Sequence, residues 1–505
     1  MASQDNQRSL NGTTASICNF ASALGRIFLN PARSALLLTV VPFYFNATAQ
    51  IANTISPADK VYGLSKFWQE VNYNFAYFDR IDRHSWDSAY KALIPEVQAT
   101  KNDYEYYRLL KRFCALLHDG HTEVLTPHIK GLDLIHNMFG DYLVVLARVD
   151  NKVIVKRTWK KDAQKFPLGS EVIQVNGLPT EAYIKDSVAP YISASTDDVR
   201  KNIASEQLLT GPPGSVFTVK LRKPDGQTAV YSLTHARTTD SIFYPALGVY
   251  LDEKQRKAVE WKSFPDHITY VALNSFLRDL KADSIFESIL PVLKASRGII
   301  IDLRYNGGGD DGVAFDILRH FITDTVFTGE STITRSYDPY LKAIGRYVDV
   351  ADTTGDDLKK EAWLLYHGYP VYGKPGIERY HVGKGIERLT MPVVVLTSRY
   401  TESAAEDFLI GIDRQKNIVR IGEPTCGSTG MPYIFDLPGG GGARICIVKD
   451  TYPDGREFVG RGIQPDILVV PTVDDYLKSR DVTLETALKY LERGVNKDSK
   501  SPVGK

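Results

Sequence analysis

The sequence predicts an α/β protein with a β-rich unit and a helical N-terminal region, and three observations carry that prediction. Short apolar runs, "HITYVALNSF", "RGIIIDLRYN" and "MPVVVLTS", stand before helical patterns such as "GVAFDILRHFI" and "SAAEDFLIGIDR". Buried strands alternating with helices imply a sheet covered by helices. Between about residues 130 and 238 the apolar period shortens to two and turn pairs recur, as in antiparallel strands. Before His118 the apolar residues recur three and four apart, as on one face of a helix.

Taken in order, the chain opens on "RSALLLTVVPFYFNATAQ". Its uncharged run, Ser34 to Phe45, is twelve residues, about half of the roughly 20 a helix needs to span a bilayer. Ala47-Thr48-Ala49 follows, with small residues where a signal peptidase needs them, so residues 1–49 read as a signal peptide cut near Ala49. The alternative is a buried strand of a folded domain. The patterns "KVYGLSKFWQEVNYNFAYF" and "DYEYYRLLKRFCALLH" then give a helical domain over 50–127. Strands in "DYLVVLARVDNKVIVKRTW", "LGSEVIQVNGLPT" and "SVFTVKLRKPDGQTAVYSLTHA" give a β domain over 128–240. The α/β core spans 241–495, and 496–505, ending "SKSPVGK", read as a disordered tail.

At 505 residues the chain has room for two to four domains. Its 61 Lys and Arg against 60 Asp and Glu leave no global field to draw nucleic acid or an anionic membrane. After the leader no segment is long enough to be a stable span. Four cysteines include Cys18, which leaves with the leader, and an odd remainder argues against a disulfide framework. Cys426 and Cys446 pair only if two strands bring them together.

Three turns carry chemistry. In "IIIDLRYNGGGDDG", Gly307 to Gly309 follow a buried strand, so their amides are free to face an oxyanion or a phosphate; a simple tight turn is the plainer reading. No P-loop lysine or GxGxxG supports a nucleotide. In "LLHDGHTEV", His121 follows Gly120 in a loop, where an imidazole titrates near neutrality. Cys114, His118 and His121 have the spacing of one helical face, but Gly120 breaks that helix and no second cluster completes a zinc site. Neither a metal nor a cofactor is expected.

In "SRYTESAAEDFLIGI", Ser403 reads as the cap of a helix, with Glu406 closing a capping box, or as a nucleophile at the helix N-terminus. Both readings share one geometry. Acyl transfer needs a serine, a base and oxyanion donors, and Ser403, His121 and the amides of Gly307, Gly308 and Ala404 supply each type. No GxSxG surrounds Ser403, so this is not the α/β-hydrolase elbow.

Together "LHDGHTEV", "LGSEVIQVNG", "GIIIDLRYNGGG", "VVVLTSRYTESAAE", "IGEPTCGSTG" and "GRGIQPDILV" resemble, in order, the C-terminal processing (tail-specific) serine peptidases and their tricorn-like relatives, from about Lys60 to Leu491. The resemblance implies a ClpP/crotonase-like α/β catalytic core, a PDZ-like β domain and an N-terminal helical domain. It makes Ser403 the nucleophile, His121 the general base, and the glycine turn with Ala404 the oxyanion hole. Where serine-lysine members carry their basic lysine, this chain has Ser428, which is able to relay a proton but not to act as the base. The burden moves to His121, as in the histidine-using, tricorn-like branch.

That branch orients its histidine with a carboxylate shortly before "G-x-x-PD". Here the matching position holds Val459, with Glu457 two residues earlier, about 7 Å along a strand. Asp119, Glu123 and Glu457 are the candidate orienters, and Gly120 stands where the branch has a serine. Cys426 is a weaker candidate nucleophile, since no neighbouring Lys or Arg lowers its pKa.

The implied function is an exported serine endopeptidase, periplasmic or cell-envelope associated. Its partner is a protein or peptide whose extended tail adds a strand to the PDZ-like edge between about Asp141 and Ala236. The alternative is an inactive peptide-binding protein on a peptidase fold. The segment from Thr323 to Arg388, between two catalytic motifs, is expected to cover the site as a lid or wall.

Overall fold

Ser56 accepts the Asp59 amide at 3.1 Å and Pro57 takes the first helical position, so the first helix, Pro57–Asn74, starts where sequence chemistry puts it. The computed structural model describes residues 51–237 and 256–498, with side chains to residue 493. The expected signal peptide lies outside these residues. So do residues 499–505 of the expected tail, whereas the helix Val482–Asp498 takes in 496–498.

Two more helices follow, Arg83–Ala99 and Asp103–Cys114, the second capped by Asn102. Each offers one apolar stripe, too narrow to close a core alone. Phe113 stacks on Trp86 at 3.9 Å and meets Phe67 edge-on at 5.9 Å, while Phe67 faces Phe435 of the distant strand Pro432–Leu437. The helical region therefore shares its core with the α/β unit and does not close one of its own.

The β unit is an antiparallel sheet with its own core, including Phe166, Val172, Val219 and Leu221. The strands Tyr142–Val149 and Lys152–Thr158 are joined by Asp150 and Asn151, both at positive φ (50° and 57°), as a type I′ hairpin requires. Asn176-Gly177 makes the second such turn, with φ of 50° and 82°.

The α/β sheet runs, edge to edge, Ile467–Leu468, Ile418–Gly422, Val393–Thr397, Gly298–Asp302, Ile268–Leu273 and Val259–Phe264. All neighbours pair in parallel except the last, antiparallel pair. Period-two alternation divides the side chains between two covered faces. Ile299, Ile301, Val393 and Val395 join Phe408 of the helix Ala404–Gly411 on one. Ile300, Val394, Leu396 and Ile421 meet Ala487 and Leu491 of the C-terminal helix on the other.

The segment after residue 323 forms the long strand Val326–Ser336, the helices Pro339–Gly345 and Asp357–Tyr366, and the strand Gly376–His381, which pairs back onto the first. No helix among the described residues is long and apolar enough to cross a membrane.

Candidate active site

The turns that leave the adjacent parallel strands Gly298–Asp302 and Val393–Thr397 lie side by side at the strands' C-terminal ends, where sites form in such sheets. Backbone bonds lock them together. Glu402 donates its amide to Asn306 O at 3.0 Å, and the Thr401 hydroxyl donates to Leu303 O at 2.9 Å.

Ser403 sits at the N-cap of Ala404–Gly411 with φ 57° and ψ −131°, a conformation costly for a residue with a Cβ. Its hydroxyl makes no capping bond, and Glu406 does not reach back. The carboxyl of Glu406, fully buried, instead accepts the amides of Gly427 and Ser428, each at 2.9 Å, and the Thr425 hydroxyl. Burial pushes Glu406 up to about 8. Of the two readings of "SAAE", the local capping box is thus excluded, because the buried carboxyl has found donors some twenty residues along.

His121 is carried by a turn whose geometry is set on both sides. The strand Glu123–Leu125 pairs with Gly441–Cys446, and the Thr122 hydroxyl accepts the Cys446 amide at 3.0 Å. The ring Nε2 lies 3.3 Å from Ser403 Oγ, and Nδ1 lies 2.6 Å from Ser428 Oγ. Gly120 is what admits Ser428, since a Cβ there would stand 2.7 Å from the Ser428 hydroxyl oxygen. Burial, reinforced by Arg444, pushes His121 down to about 4, so the imidazole is neutral at pH 7 and free to take a proton.

The oxyanion donors resolve unevenly. The Gly308 amide, expected to serve the oxyanion, donates to Asn306 Oδ1 at 2.8 Å. Gly307, exposed, and Ala404, first in its helix, have no backbone acceptor among the described residues. Gly307 also lines a cavity of about 850 Å³ shared with Tyr305, Tyr400, Leu277 and, from the β unit, Met138 and Val145.

The carboxylate expected to orient His121 is placed elsewhere. Glu457 pairs with Arg80 at 3.6 Å and with Arg461 at 3.9 Å, two arginines that hold it at a half-exposed position. Asp119 accepts the Thr122 hydroxyl at 2.6 Å, and Glu123 pairs with Arg444 at 3.2 Å. The carboxylate beside the ring is Glu402, whose Oε1 lies 3.8 Å from Nδ1. No spacing signal marked it, because it precedes the candidate nucleophile by a single residue.

Cys426 and Cys446 are free thiols, and burial raises both well above the ordinary range, which leaves Cys426 a poor nucleophile. His118 ends its helix in a left-handed conformation and turns to Arg200, 2.8 Å from its Nδ1. No group of metal-ligating side chains occurs among the described residues.

Residues 267–469 match the model of Peptidase family S41. The chain is 23% identical over 302 residues to the carboxyl-terminal-processing protease of Picosynechococcus sp., covering 59% of this chain and 60% of that one. It is 22% identical over 345 residues to the carboxy-terminal processing protease CtpB of Bacillus subtilis, covering 67% and 57% respectively. The matched stretch thus spans about three-fifths of the length of these relatives. Among solved structures, mature CPAF is similar in fold with a TM-score of 0.64 at 14% identity, over 89% of this chain and 99% of that one.

Proposed function

We propose that this chain, whose α/β unit carries a peptidase family S41 domain, is a serine endopeptidase working through Ser403 and His121. The observation that supports it is the 3.3 Å approach of His121 Nε2 to a serine held at positive φ on a helix N-terminus. With His121 neutral, Nε2 accepts the Ser403 proton as Oγ attacks the scissile carbonyl. The negative charge on the tetrahedral oxygen falls to the Gly307 and Ala404 amides and the positive end of the helix dipole. Collapse breaks the C–N bond, and His121 returns its proton to the leaving amine. Water, deprotonated by His121, then releases the acyl group.

An extended peptide suits the cavity that Gly307 shares with the β unit, and the end strand Thr228–Thr234, paired on one side only among the described residues, is suited to strand addition. Export, with cleavage near Ala49, and recognition through a PDZ-like β domain belong to the same reading. A fluorophosphonate probe tests it: labelling lost in both Ser403→Ala and His121→Ala supports an activated serine. Absent labelling in the folded wild-type protein would leave a peptide-binding protein.

A further inference from the structure

We propose that Glu402 is the positioning carboxylate of this site, acting on His121 through the hydroxyl of Ser428. The proposal rests on the reading of Ser403 as nucleophile. For Nε2 to accept from Ser403, the imidazole proton must sit on Nδ1, and Nδ1 then donates to its neighbour at 2.6 Å, Ser428 Oγ. A hydroxyl that accepts from the ring still has one proton to give. Glu402 Oε1 lies 3.8 Å from that same Nδ1, so the carboxylate and the Ser428 hydroxyl stand on one side of the ring and the hydroxyl is placed to give its proton to Glu402. The donors therefore run in one direction, from Ser403 through His121 and Ser428 to Glu402, and the carboxylate stabilises the imidazolium formed in the reaction.

Two features of the fold serve this path. Ser428 is fixed from behind, its amide held by Glu406 and its carbonyl accepting the Ser403 amide at 3.0 Å. On the other side, Gly120 leaves open the space in which the hydroxyl meets the ring. The Glu402 side chain is not sealed: about a third of it (33%) meets solvent. The groups facing it are Arg444 of the strand Gly441–Cys446, Asp119 and His121 of the histidine turn, Cys426 and Ser428 of the loop, and Glu406 of the helix that follows it. Burial raises it to about 7, Arg444 opposes that rise, and its exposed third keeps the carboxylate form accessible near neutrality.

The test compares wild type with Glu402→Gln, Ser428→Ala and the double variant, by kcat, KM and pH profile on a peptide substrate, with fluorophosphonate labelling and a melt for each. The expected result is a fall in kcat of roughly 10²- to 10³-fold for either single variant, with KM little changed. The double variant is expected to match the singles, and the inflection near neutral pH to disappear in Glu402→Gln. Glu402→Asp, which keeps the charge, should recover part of the rate. A wild type that labels, with Glu402→Gln equal to it in kcat and pH profile, would overturn the relay and leave Ser403 standing. A folded wild type that does not label would overturn both.

Discussion

Two turns meet at the site from neighbouring strands, 303–310 and 398–404, and they meet the same crowding by opposite means. The first removes side chains. At Gly308, with φ 88°, a Cβ would lie 2.6 Å from the Ser403 Cβ, and at Gly309, with φ 141°, 2.4 Å from the Phe276 carbonyl carbon. The second keeps a side chain, that of the proposed nucleophile, where glycine would be easier, and braces the strained Ser403 through Asn306, Leu303 and Ser428. The first turn gains room from glycine, and the second tolerates strain to keep a hydroxyl beside His121.

The largest way to break this contrast is Ser403→Ala, expected to lower hydrolysis on the order of 10⁵- to 10⁶-fold while the fold persists, as read by peptide turnover and a melt. Gly308→Ala forces a side chain into the first turn. It should cost about 3 kcal/mol by denaturant unfolding and lower activity, whereas Gly307→Ala, with nothing within 4 Å of the added atom, should stay within about 0.5 kcal/mol. Removing a brace by Glu406→Ala strands the Gly427 and Ser428 amides and should cost about 2 kcal/mol.

Making the second turn resemble the first sharpens the comparison. Ser403→Gly should be as inactive as Ser403→Ala yet more stable than it by about 1 kcal/mol, since glycine relieves the positive φ. Equal stabilities would mean that the turn carries no strain.

A further effect is on pH. Burial raises Glu406 and Asp450 to about 8 and Glu330 to about 7, all from an ordinary carboxyl value of 3.8 to 4.5. Between those limits the unfolded chain has lost protons that the folded chain retains, so stability falls as pH rises from about 5 through 8. Melts across that range should decline gradually, and Glu406→Gln should flatten the slope.

Much of this was legible in the sequence because it is local. "GIIID" and "VVVLT" mark buried strands, and Asp150-Asn151 and Asn176-Gly177 mark hairpins, whereas the helix before His121 stops at left-handed His118, two residues before Gly120. Ser403, His121 and Ser428 converge although up to 307 residues separate them, and their residue types announced the chemistry without the contacts. The helix Arg83–Ala99 escaped notice because Pro95 and scattered polar residues blur its stripe. The fate of Glu406 turned on competition between a local amide and donors on another loop. The resemblance pointed to Glu457, with Asp119 and Glu123, and not to Glu402; the folded arrangement places two arginines on Glu457 and an imidazole beside Glu402.

The guanidinium of Arg304 just before the glycine turn is buried between Asp302 and Asp481, 2.7 Å from the latter, and the helix that follows Asp481 seals the back of the central strands. The apparatus near the middle of the chain is therefore keyed to a segment that is translated late. Arg304 and Asp481 are 177 residues apart in sequence, so the glycine turn gains its second buried counter-charge only once residues 481–491 have folded onto the back of the sheet.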